Sequence, residues 1–201
     1  VIEAGDLMAS RGIGTMITMA LIGRFGSRLD PRMIIAFGLG IVAITMYDMG
    51  GWNLQVDPRT IALNGFIQGL GVGAVFVPIT TVAFATVATP YRTDAAGLVN
   101  LSRSIGGSIG ISILAALLAR GMQVNHADLA SFISPYSVGI PSVALAAGSN
   151  SQTAMAMIEG EVLRQATMLA FLNDFRLISY ITFLIIPAVL LIRRPAKPDK
   201  G

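Results

Sequence analysis

Several polar side chains sit inside long apolar stretches of this 201-residue chain, where each needs a reason to be. Arg103 and Asn100 share one stretch, with Ser104 and Ser108 on neighbouring faces. Gln68 stands in the middle of another. Asp174 lies between Asn173 and Arg176 in a third, and Arg11 interrupts the first. A charge in hydrocarbon is costly, so it faces a partner or a wet cavity. Arg103 therefore lines a polar interior, and Asp174 pairs with an arginine or exchanges a proton with water. Arg11 and Arg176 lie nearer the ends of their stretches, from where a long side chain reaches the interface. No paired carboxylates, metal cluster or serine–histidine pair is evident, so an enzyme is not expected. His126 is the sole histidine and cysteine is absent, which leaves no expected metal site and no cofactor.

The elements that hold these residues are five apolar runs. They cover about 4–23, 33–49, 60–88, 94–119 and 167–192. Each is near the roughly 20 residues that cross a bilayer as a helix. Inside lipid the backbone must satisfy its own hydrogen bonds, so such runs become helices. Hydrophobic residues make up 54% of the chain and charged residues 12%, against about a quarter charged in soluble domains. Mean hydropathy is +0.71. The expected fold is an all-α membrane protein with about five transmembrane helices, in contact with lipid.

Basic residues set the expected orientation. Arg24, Arg28 and Arg32 follow the first run, Arg92 follows the third, and Arg193, Arg194, Lys197 and Lys200 follow the fifth. With alternating helices these segments share one face, which the positive-inside rule makes cytoplasmic. The tail 193–201 is then cytoplasmic and the long connection 120–166 is external. The net charge of +3 reports this topology and not nucleic acid. Pro135, Gly139, Pro141 and Gly148 break the connection, and Ser151 to Ala170 reads as helical, with Met155, Ile158, Val162 and Gln165 on a recurring face. The first helix begins almost at once without a basic leader, so the chain reads as the C-terminal part of a longer protein.

Small residues mark expected helix contacts. Gly65, Gly69 and Gly73 are spaced four apart in the third run, and Gly106 and Gly110 follow Ser102 in the fourth. Close backbone approach through glycine holds helices together in lipid. Pro78 removes one backbone hydrogen bond from the third helix and makes it a candidate hinge.

The loop Gly23-Arg-Phe-Gly-Ser-Arg-Leu-Asp-Pro-Arg32 resembles the glycine–arginine loop of the major facilitator superfamily. Ser10-Arg-Gly-Ile-Gly14 is similar to the "PRGxG" stretch of its fourteen-span EmrB/QacA drug:proton antiporters. Gly65-Phe-Ile-Gln-Gly69 with Phe76-Val-Pro-Ile-Thr-Thr81 resembles their next helix but one. Arg92-Thr, Asn100-Leu-Ser-Arg103, Gly107-Ser-Ile-Gly-Ile-Ser112, Gln123-Val-Asn-His126 and Asn173-Asp-Phe175 continue the likeness along the chain. Where the superfamily loop often carries an acid, this chain has Ser27, and Asp30 is not equivalent. Gly23, Arg24, Arg28, Asp30 and Arg32 make up this cytoplasmic loop motif, and its three arginines are then expected to anchor it at the cytoplasmic face.

The resemblance implies the last five helices of the C-terminal half of a facilitator fold. It implies proton-coupled multidrug efflux across the inner membrane, completed by the missing N-terminal half. It also implies small amphipathic drug-like substrates, a periplasmic adaptor and an outer-membrane channel. On that basis Gln68, Phe76, Thr80, Asn100 and Arg103 are expected to form the cavity wall, with Asp174 on the proton pathway. Two other classes stay open: a carrier of a metabolite or siderophore, and a non-transporting membrane scaffold.

Overall fold

The computed structural model describes residues 2–26, 29–84, 87–131 and 151–191. They form five long helices: α1 (Ile2–Phe25), α2 (Pro31–Met49), α3 (Pro58–Phe84), α4 (Arg92–Ser131) and α5 (Ser151–Leu191). A short 3-10 turn, Thr89–Tyr91, leads into α4. The tail 193–201, Ser27, Arg28 and the breaks from Pro135 to Gly148 lie outside the described residues.

Proline and glycine set the boundaries. Pro31 opens α2 behind Asp30, whose carbonyl accepts from Met33 and Ile34 at 3.0 and 3.3 Å. Proline suits a first turn because its missing N–H would be unpaired there anyway. Gly50 and Gly51 end α2, and Pro58 opens α3 after Asp57. Between them Asn53 turns the chain by accepting the Gln55 N–H on its side chain at 2.9 Å.

The distribution of side chains is the reverse of a water-soluble core. The buried hydrophobic residues are Ile35, Ala43, Ala74, Val162, Ala166 and Ala170, and most of them are small. Large ones face outward: Leu184 is 79% exposed, Met16 72% and Phe37 69%. So much exposed apolar surface is stable in lipid and not in water. Four of the helices, α2 to α5, are long and apolar enough to cross a membrane. The first expected span, α1, is not among them, because Glu3, Asp6, Arg11 and Arg24 dilute its apolar content. It nonetheless lies in the same bundle, packed along α3. This is a multi-pass, all-α membrane protein.

The helices pack in the order α1–α3–α2–α5–α4, each against the next. Gly69 of α3 approaches the Arg11 backbone, and Gly73, one turn on, approaches Thr15, so α1 and α3 run parallel. Gly71 meets the Gly38 carbonyl of α2 on another face of α3, while Asn64 reaches Thr45 and Asp48, so α2 runs antiparallel to α3. Ser179 of α5 is fully buried and donates to the Ala43 carbonyl at 2.7 Å. Tyr47 and Tyr180 tilt against each other in the same interface, with ring centroids 6.4 Å apart.

Helices α4 and α5 have 40 and 41 residues, about 60 Å each at 1.5 Å per residue. A bilayer core is about 30 Å thick, so both run well beyond it. They pair along one end of α4. Gly121 faces Ala170, Asn125 donates to the Ala166 carbonyl at 3.4 Å, and His126 meets Glu159 at 2.9 Å. The contact face of α5 carries Val162, Ala166 and Ala170, all buried, whereas Met155 is 71% exposed and Gln165 is exposed too. The expected helix from Ser151 to Ala170 is present, and its alanines let α4 come close.

Candidate functional site

Two of the expected wall residues meet directly. The Arg103 guanidinium lies over the Phe76 ring, 4.6 Å from its centroid. This cation–π contact is a main tie between α3 and the first half of α4, which otherwise barely touch. Both residues are exposed within the described chain. Thr80 stands one turn past Phe76 and turns its hydroxyl back to the Val77 carbonyl at 2.8 Å. Asn100 is exposed on α4, one turn before Arg103. Asn100, Arg103 and Ser104 share a face of α4 with Gly107, since helical neighbours recur at three and four residues.

No residue of α4 is buried. A Cβ placed on Gly97, Gly106, Gly107 or Gly110 would meet nothing within 4 Å. These four glycines of α4 therefore do not pack against any described part of this chain, unlike Gly121. Those of α3 do. A side chain on Gly73 would run into the Thr15 carbonyl oxygen at 2.8 Å, and one on Gly69 would strike the Arg11 carbonyl. Gly65 is half-buried on the same helix. Thr15 reinforces the seam by donating to the Gly69 carbonyl at 3.2 Å. Gly14 has the Phe66 carbonyl against it, which explains physically why a glycine stands there. Pro78 is buried, and α3 continues as helix past it to Phe84. Thr80 and Thr81 both donate to the Val77 carbonyl in that turn.

Gln68 lies apart from Arg103. It is buried on the α2 side of α3, with Nε2 4.0 Å from the Met49 sulfur. One turn before it, Asn64 is buried and donates to the Asp48 carboxylate at 2.9 Å and the Thr45 carbonyl at 3.3 Å. The Trp52 indole donates to the same Asp48 oxygen at 3.1 Å. Sequence reasoning missed this cluster. The available signal was Asn64 four residues before Gln68, two amides on one face of an apolar helix.

Asp174 is half-buried on α5 and makes no ion pair among the described residues. The register of α4 on α5 sets Ala170 beside Gly121. Asp174 is thus level with about Leu117, roughly four turns from Arg103. The structure does not bring the two together. Arg176 lies against Gly50 at the carboxyl end of α2, where a Cβ would be 2.5 Å from its Cγ. A cation there is favoured by the helix dipole.

At the other end of the bundle Gly23 and Arg24 are exposed. Asp30 caps α2 with its carbonyl. Arg32 is half-buried, and its Nε and Nη2 find no hydrogen-bond partner among the described residues. Arg28 lies outside the described residues.

Comparison with known proteins agrees with this architecture. No protein-family model matches the chain. The fatty acid resistance protein FarB of Neisseria gonorrhoeae is 27% identical over 98% of the chain and 40% of its own length. The multidrug export protein EmrB of Escherichia coli is 30% identical over 67% of the chain and 26% of its own length. The matched stretches are the C-terminal parts of these relatives. The chain is thus similar to the C-terminal part of EmrB-like multidrug resistance proteins. A further relative, the probable multidrug resistance protein EmrY of the same bacterium, is 29% identical over 68% of the chain and 27% of its length. The chain thus spans about a quarter to two-fifths of the curated relatives it matches.

Proposed function

We propose that this chain forms part of the wall of an export pathway for amphipathic small molecules in a proton-driven multidrug exporter of the inner membrane. The observation that carries the reading is the bare polar face of α4. Asn100, Arg103 and Ser104 lie within an apolar run, and no described helix covers them. Left against lipid, that face would be costly. It is stable if it borders a water-filled passage, with the rest of a longer protein closing the other side. Transporter sites form in this way, between two halves that rock against each other.

The names of the relatives support export as the activity, because they describe multidrug export and resistance. The arginines of the 23–32 loop and the tail support a cytoplasmic C-terminus. The α4–α5 extension would then project from the opposite side, where an adaptor would reach it. Proton coupling would need an acid that meets both water and the passage. Asp174 is the candidate within this chain. It lies far from Arg103, so it would act through movement of α5 and not by direct contact.

Labelling tests the central point. The chain has no cysteine, which gives a clean background in this region. In the full-length protein, Asn100→Cys and Ser104→Cys should react with a membrane-impermeant thiol reagent, and Ile109→Cys on the opposite face should not. Protection of positions 100 and 104 to the same degree as 109 would reject a wet passage at α4. Efflux from inverted vesicles, with and without a proton gradient, tests the coupling. In the same assay Arg103→Ala should lower efflux at equal membrane abundance.

A further inference from the structure

We infer that Asp48, Asn64 and the Thr45 carbonyl form a site for a monovalent cation of sodium's size, at the end of α2 remote from the 23–32 loop. The site lies apart from the α3–α4 face and does not depend on it. Three observations carry the inference. First, groups that offer oxygen converge between α2 and α3. The Asn64 amide stands 2.9 Å from Asp48 Oδ2 and 3.3 Å from the Thr45 carbonyl oxygen, with Nδ2 meeting both. Asn64 and Thr45 are buried and Asp48 is exposed, so an ion would enter from the Asp48 side. Turning the amide over exchanges Nδ2 for Oδ1 and barely alters its shape. Asn64 Oδ1 would then lie about 3 Å from each of the other two oxygens. Oxygens that close repel one another unless a cation lies among them. A sodium ion is nearly the size of calcium, which takes oxygen ligands at about 2.3–2.6 Å, so one ion reaches all three.

Second, the far side of the Asn64 amide does not oppose that turn. Oδ1 is buried there and has no hydrogen-bond partner among the described residues. Nδ2 carried to that side would be unpaired as well, at a similar cost. The near side therefore decides which way the amide stands. It presents N–H to Asp48 and Thr45 without an ion, and oxygen with one. A further oxygen is at hand in the Gln68 amide, which is buried one turn on, with its Nε2 4.0 Å from the Met49 sulfur, a weak acceptor. The Trp52 indole, which donates to Asp48 Oδ2 at 3.1 Å, would keep the carboxylate in place in either state.

Third, the charge matches. Asp48 is the one carboxylate of the site, and Asp57 lies seven residues before Asn64, about 10 Å away along the helix. One carboxylate balances one monovalent charge, whereas a divalent ion would leave an excess charge beside lipid. Among the described residues no three His, Cys, Asp or Glu side chains gather as a metal-ligand group, and an all-oxygen set suits hard ions. Arg176 of α5 lies at Gly50 and Arg59 stands at the start of α3. Neither pairs with Asp48 among the described residues.

The test measures binding of radioactive sodium to the purified full-length protein in phosphatidylcholine nanodiscs, with choline chloride holding the ionic strength constant. Wild type should bind saturably, and unlabelled sodium chloride should displace the label far better than potassium chloride. Asp48→Asn should weaken binding by about tenfold or more, as loss of a ligand does, and Asn64→Leu should weaken it several-fold. Asp48→Glu should retain part of it, and Asp57→Asn should leave it unchanged. Sodium should also raise the melting temperature of wild type and Asp48→Glu but not of Asp48→Asn, which separates loss of the site from loss of the fold. Absence of saturable binding in wild type would overturn the inference. So would binding that survives in both Asp48→Asn and Asn64→Leu, which would put the ion elsewhere in the longer protein. Equal displacement by potassium would show attraction to surface charge instead of a fitted site, and would overturn it too.

Discussion

Substituting Gly69 by alanine isolates the contact on which the bundle is built. A Cβ there would strike the Arg11 carbonyl oxygen, with the Arg11 carbonyl carbon at 3.0 Å and the Thr15 nitrogen at 3.1 Å. These are backbone atoms and cannot swing aside. Non-bonded heavy atoms settle near 3.5 Å or beyond, so α1 would have to withdraw by about 1 Å. That movement would stretch the Thr15–Gly69 hydrogen bond, already 3.2 Å, past its useful length. Overpacking costs about 1–3 kcal/mol, and an interhelical hydrogen bond in a membrane about 0.6 kcal/mol. Alanine returns up to about 1 kcal/mol through better helix propensity. The net expectation is a loss of about 1–3 kcal/mol. Gly106→Ala is the control, since nothing lies within 4 Å of a Cβ at that position. It should be neutral or gain up to about 1 kcal/mol. Unfolding of the full-length protein by titrated dodecyl sulfate in mixed micelles measures both. Wild-type stability in Gly69→Ala would refute the backbone contact between α1 and α3. A loss in Gly106→Ala as large as in Gly69→Ala would show instead that α4 is tightly packed in the intact protein.

Three further outcomes follow from the same geometry. Gly50→Ala places its methyl against the Arg176 side chain, which is flexible, so the cost should stay below about 1 kcal/mol in the same titration, unlike Gly69→Ala. Ser179→Ala removes the buried hydroxyl that donates to the Ala43 carbonyl and should cost about 0.6–1 kcal/mol, read as a lower dodecyl sulfate midpoint. His126→Ala removes the contact to Glu159, whose side chain is 65% exposed, and should change stability by less than about 1 kcal/mol in calorimetry or thermal aggregation.

Much of the fold was legible because lipid simplifies the rules. Apolar runs of the right length become helices, and Pro31, Gly50 and Pro58 mark where they start and stop. Of the glycines 65, 69 and 73, Gly69 and Gly73 lie against the α1 backbone, the close approach that such spacing permits in lipid. The same spacing in α4 gave the same expectation, yet Gly106 and Gly110 face open space within the described chain. Spacing shows that a helix is able to pack closely; it does not name the partner. Gln68 and Arg103 looked alike as polar interruptions. The packing separates them: Gln68 lies buried against α2, and Arg103 stands at an open face on Phe76.

By itself the sequence determined a helical membrane protein and its likeness to EmrB-like exporters. Those depend on composition and short-range periodicity, which act within a single helix. Tertiary structure alone decided the packing order α1–α3–α2–α5–α4, the Asn64–Asp48–Trp52 cluster and the placing of Arg103 over the Phe76 ring. These depend on how far each helix turns about its own axis against its neighbours. A few degrees of that rotation carry a side chain from a seam into a passage, and they follow from the fit of whole surfaces instead of from any local pattern.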